Sequence, residues 1–165
     1  MKSVPQLVSA STVALALSLG GCSAGEPDAG DIEPGQSAEV PSSDFESTDA
    51  LGDYLRESID EVHVHRESES NPDFDHEGDA ERLHVEFPSA GQTNTDRKAT
   101  ADAVQAAGSA QFDYDVLMVT GTTDAGTWSY MFSTDSVDEL TGGGSVVEAD
   151  TVWDVADQDF DSVHR

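Results

Sequence analysis

Val62-His63-Val64-His65 and, twenty-one residues on, Leu83-His84-Val85-Glu86-Phe87 alternate apolar with polar side chains. A period of two is the signature of a strand with one face on a core, and two such runs joined by an acidic loop predict a hairpin. Upstream, Leu51, Leu55 and Ile59 recur every four residues beside Tyr54. They predict a helix capped by Ser47 or Thr48 and ending near Asp60. Downstream, Asn94 or Thr95 is placed to cap a second helix whose Ala99, Ala103, Val104 and Ala107 face inward and which stops at Gly108. Val116-Leu117-Met118-Val119, apolar on both faces, predicts a central strand. It turns through Asp124-Ala125-Gly126 into Trp128, Tyr130 and Phe132 at period two, a second hairpin. Residues 135–140 suggest a short helix, broken by Gly142-Gly143-Gly144. The tail supports two patterns: Val147, Ala149, Thr151, Trp153 and Val155 alternate as a strand does, whereas Val152, Ala156, Phe160 and Val163 fit a helix, and the region divides near Asp154. The resulting order is helix, strand, strand, helix, strand, strand, short helix, strand. It predicts an α+β domain, an antiparallel sheet with helices on one face and ferredoxin-like character.

Two constellations on the first hairpin carry chemistry. With Val62 and Val64 toward the core, His63 and His65 share the opposite face, and His84 with Glu86 joins them from the partner strand. Imidazoles at alternate strand positions suit zinc or copper, with Glu86 able to complete a tetrahedron. The intervening loop, Asp73-Phe74-Asp75-His76-Glu77-Gly78, resembles half of a calcium loop, with Asp73, Asp75 and Glu77 at alternating ligand positions and glycine at the sixth. The match fails at position twelve, which is His84 in place of a bidentate glutamate. These metal readings compete for His84, and the simplest alternative to both is a solvated polar face. No Gly-x-Ser-x-Gly elbow is present, and acidic pairs are too common here to mark a hydrolase. A non-enzymatic role is expected.

The chain carries 34 acidic residues against 7 basic ones, a net charge of −27. Nucleic acid is thereby excluded as a partner, because Arg56, Arg66, Arg82, Arg97, Lys98 and Arg165 are scattered rather than clustered. Such self-repulsion is relieved by salt, the Debye length falling from about 10 Å at 0.1 M to about 3 Å at 1 M. A halophile or a salt-tolerant bacterium is the expected source. Residues 23–43 hold Pro27, Pro34 and Pro41 among glycines and acids, and read as a disordered tether with an end-to-end reach of about 25 Å.

Lys2 precedes an apolar run from Leu7 to Leu19, the layout of a signal peptide. Thirteen residues at about 1.5 Å each reach about 20 Å, short of the roughly 30 Å needed to span a bilayer. The run ends in Leu19-Gly20-Gly21-Cys22, the chain's only cysteine. This junction resembles the lipobox of prokaryotic lipoproteins. The resemblance implies cleavage before Cys22, acylation of its sulfur (diacylglyceryl, with palmitate among the expected chains) and attachment to the cell membrane on its extracytoplasmic face. The expected organisation is a signal peptide over 1–21, lipidated Cys22 and an acidic linker over 22–44, and one domain over 45–165. Its expected partners are the membrane, through the lipid, and another envelope protein.

Overall fold

The computed structural model describes residues 44–164; the leader, Cys22 and most of the linker lie outside the described residues. Ser47 starts helix α1 (Thr48–Leu55), its hydroxyl accepting from the Ala50 N–H at 3.2 Å. Leu51 and Leu55 are fully buried on the inner side of the helix. The helix ends sooner than its periodicity suggests, because residues 56–62 form turns that still place Ile59 and Val62 in the core. Strand β1 (His63–Arg66) runs directly into a single helical turn, α2 (Glu67–Ser70), where the sequence showed only an acidic loop. Strand β2 (Arg82–Pro88) follows, then α3 (Thr93–Ala107), the hairpin strands β3 (Val116–Thr123) and β4 (Gly126–Ser133), α4 (Thr134–Thr141) and β5 (Gln158–Asp161). Short 3-10 turns cover Gly142–Gly144 and Val152–Val155.

The five strands form one sheet in the order β1-β2-β3-β4-β5, so the α+β class holds. The sheet is mixed rather than antiparallel: β2 and β3 run parallel, whereas the other three pairs are antiparallel. Helix α3 is the cause. It carries the chain back between two adjacent strands, and such a crossover delivers the second strand parallel to the first. Alternation along a strand is the same in either pairing, so the sequence pattern does not distinguish them. The order of strands along the sheet simply follows the chain, and the ferredoxin-like character is not confirmed.

The tail also differs from expectation. Val152 and Trp153 are both buried although adjacent, which strict strand alternation forbids and a tight turn permits. The Trp153 indole N–H donates to Thr100 Oγ at 2.9 Å, fixing the turn against α3. The last strand forms beyond that turn, at 158–161. Helix α3 begins at Thr93 after Gln92, so Asn94 and Thr95 lie in its first turn and do not cap it.

Leu83, Val85, Phe87, Leu117, Val119, Trp128, Tyr130 and Phe132 face the helices and make the core. A Cβ on Gly121 would fall inside the indole of Trp128, its partner across β3 and β4, so the ring occupies space that only glycine leaves. The opposite face is largely half-buried, with His84 closed off against Glu67 of α2. Its rows follow from the register: His63 faces Glu86 and then Thr120 and Ser129, while His65 faces His84 and then Met118 and Met131. Among the described residues no helix is long and apolar enough to cross a membrane.

Candidate metal centre

The first hairpin forms in the register that the alternation requires. His65 stands opposite His84, and their rings stack with centroids 4.7 Å apart and planes within 6°. Glu86, two residues along β2 from His84, points to the same face. Ligand atoms of His65, His84 and Glu86 all lie within 4.8 Å of one another, the one such group among the described residues. His63 faces Glu86 on the same side of the ribbon but is exposed and outside the group.

Each nitrogen of His84 has a distinct environment. Nε2 lies 2.9 Å from Glu67 Oε2. A carboxylate only accepts, so this nitrogen carries the proton and donates; when the ring is neutral its lone pair is therefore on Nδ1. The bond from His84 holds the Glu67 carboxyl below the usual glutamate range, outweighing the opposing effect of burial; Asn71 and Arg82 add to it. Nδ1 is buried and has no hydrogen-bond partner. Its nearest charged neighbour is Glu86 Oε1 at 3.9 Å. That is too long for a hydrogen bond, yet it is the spacing of two ligands on one ion, since bonds of about 2.0–2.2 Å put neighbouring ligand atoms about 3–4 Å apart. A carboxylate that fixes the outer nitrogen of a histidine while the inner one faces a cluster of donors is the arrangement that orients metal-binding imidazoles. No family model, curated protein or solved structure matches this chain. Its chemistry therefore has to be read from these atoms.

The acidic loop is built differently. Asp73, Asp75 and Glu77 are exposed and form no converging group of ligand atoms. Their oxygens and amides instead shape the loop itself: Asp75 Oδ1 accepts from the Glu77 N–H at 3.1 Å, and Asp79 Oδ2 accepts from the Asp75 N–H at 3.0 Å. Of the three carboxylates that a calcium loop would aim at its ion, that of Asp75 is thus tied to a backbone amide of the turn. His76 packs edge-on against Phe74. Cys22 falls outside the described residues.

Sequence periodicity did not reveal Glu67, because it opens a single helical turn and shows no repeat. Nor did it reveal a second network, centred on His164. That ring places Nε2 2.9 Å from Asp96 Oδ2 and Nδ1 3.0 Å from Asp161 Oδ2, and all three side chains are about 95% or more buried. Ser89 donates to Asp96 at 2.7 Å and Tyr130 to Asp161 at 3.1 Å. Trp128 and Trp153 pack against the imidazole. Burial acts on Asp161 most strongly as a single influence and raises its pKa. The His164 and Val163 backbone N–H groups, the His164 ring and the Tyr130 hydroxyl together reverse it and hold the carboxyl below the usual range. Burial first, and then the bond to Asp161, pushes the Tyr130 hydroxyl up. Sixty-eight positions separate Asp96 from His164, and no local pattern links them.

Proposed function

We propose that this chain is a lipid-anchored protein of the cell envelope whose domain binds a transition-metal ion through His65, His84 and Glu86, without catalysis. The anchor is supported by Leu19-Gly20-Gly21-Cys22 after a short apolar run. The metal reading is carried by one observation: the buried, unpartnered Nδ1 of His84, its other nitrogen tied to Glu67. A buried polar atom without a partner costs about 1–3 kcal/mol, and a cation shared with His65 and Glu86 removes that cost. Two imidazoles and a carboxylate suit zinc or copper, and calcium is the poorer fit because it demands six to eight oxygens.

Thermal melting of the full chain, stripped of metal and extracted in detergent, tests the reading. A ligand that binds only the folded state adds about 2.7 kcal/mol at a hundredfold excess over its Kd. Zinc or copper should raise the melting point, calcium at matched ionic strength should not, and His84→Ala should abolish the rise. A melting point unmoved by either transition metal refutes the site. Anchoring is tested separately, since Cys22→Ser should leave the membrane fraction. An accessory role beside another envelope protein has its best support in β5, an edge strand with Phe160 exposed; capture of a specific partner that Phe160→Ser releases is the corresponding test.

A further inference from the structure

The row that holds the two histidines does not stop at β2. His84 stands opposite Met118 across the parallel pair, and Met118 stands opposite Met131 across β3 and β4. His65, His84, Met118 and Met131 thus form one line across four strands, on the face of the sheet opposite the core. Side chains directly opposed on one face have Cβ atoms about 5 Å apart, well within reach of a methionine. The chain has three methionines, and the two in the described residues both stand on this line.

Core packing does not explain that placement. The core lies on the other side, where Leu117, Val119, Tyr130 and Phe132 alternate with these methionines and are buried, whereas Met118 and Met131 are half-buried. Met131 is flanked along β4 by Ser129 and Ser133, and it lines a recess of about 190 Å³ with Arg82 and Gln158. A flexible, half-buried thioether between serines and in line with two imidazoles is a soft donor beside borderline ones. Thioether sulfur is a poor ligand for calcium or magnesium and a weak one for zinc, but it favours copper(I). The carboxylate of Glu86 is the harder donor and serves zinc or copper(II).

We propose that the metal held on this hairpin is copper(I), bound by the imidazoles of His65 and His84 with the thioether of Met118, and that Met131 extends the soft surface toward the recess. The inference rests on the metal reading of His65, His84 and Glu86 and assigns the ion. Binding is the whole of the step, with no electron transferred.

Competition of the full chain against a chromogenic copper(I) chelator, under reductant, measures the affinity, and a parallel titration measures zinc. Met118→Leu nearly conserves volume. It should weaken copper(I) at least tenfold and leave zinc within about twofold, with Met131→Leu costing copper(I) a few-fold. X-ray absorption of the copper(I)-loaded chain should show sulfur bound to the metal. That signal should persist in Cys22→Ser, which removes the only thiol, and should disappear in Met118→Leu. Unchanged far-UV dichroism of each variant verifies folding, and the sulfur signal in Cys22→Ser decides the matter should Met118→Leu fail to fold. Zinc or copper(II) binding with copper(I) affinity equal in wild type and both leucine variants, or with no sulfur on the metal, overturns the copper(I) assignment and leaves the site standing. A wild-type chain that binds neither zinc nor copper overturns the site itself, and the assignment with it.

Discussion

His84 and His164 are each flanked by two carboxylates, and they sit on opposite faces of the same sheet. His164 has both nitrogens within 3.0 Å of Asp96 and Asp161, and two tryptophans close over the ring. His84 has one nitrogen bonded to Glu67 and the other buried without a partner, 3.9 Å from Glu86. The first arrangement is finished and needs nothing from outside. In the second, one ring nitrogen has no hydrogen-bond partner and faces two further groups able to ligate a cation, His65 and Glu86. Identical residue types thus yield a structural clamp where every polar atom is satisfied, and a candidate binding site where one is not. Distance decides between them.

Substitution at His164 should have the largest effect on stability. His164→Ala leaves two carboxylates buried without their shared donor, and breaking a buried charged network costs about 3–5 kcal/mol. Urea denaturation should show that loss, and a change under about 1 kcal/mol would mean that the network is solvated and the contrast false. Gly121→Ala comes next, at about 1–3 kcal/mol, because the new methyl displaces the Trp128 ring that covers His164. An alanine variant as stable as the parent would show that the aromatic lid is loosely packed.

Acid should weaken the clamp through Asp161. Asp161 is held below the ordinary aspartate range, so its contribution to stability is complete above about pH 4 and is lost as pH falls through the lower folded value. Melting points followed down from pH 5 should fall more steeply in wild type than in Asp161→Asn, and parallel curves would remove Asp161 from the acid limb. The smallest effect is expected at His84. In metal-free protein His84→Ala removes an unsatisfied atom along with one hydrogen bond, and should shift stability by about 1 kcal/mol or less. A loss as large as that of His164→Ala would make His84 a second clamp, not a site.

Much of this arrangement is legible in residue order. Alternation at 62–65 and 83–87 is enough to place His65, His84 and Glu86 on one face, because a strand has only two faces and the valines occupy the other. The aromatics of β4 are legible for the same reason, and Val116–Val119 as a central strand because the run is apolar on both faces. Parallel pairing of β2 with β3 is not, since it depends on where α3 packs and not on any period in the strands. The turn at Val152 and Trp153 is held by the bond from Trp153 to Thr100 on α3, and the His164 clamp by residues brought together from β4, β5 and α3. Periodicity reports which face a residue occupies. It carries no information about which distant residue will be waiting there.

The sheet lays its strands down in the order in which the chain presents them, and this bears on how the molecule assembles. Each strand joins the one immediately before it, yet only the β3–β4 hairpin closes locally: partners across β2–β3 are 34 residues apart and those across β4–β5 are 27–33 apart, so these two closures carry the larger loop-closure cost. The β3–β4 hairpin, closed by a turn of two residues, is the natural nucleus. Strand β5 and His164 can add only to a β4 already in place, which makes the clamp a late event. Weakening it should therefore leave the refolding rate nearly unchanged and accelerate unfolding, so that His164 governs how long the native state lasts more than how quickly it is reached.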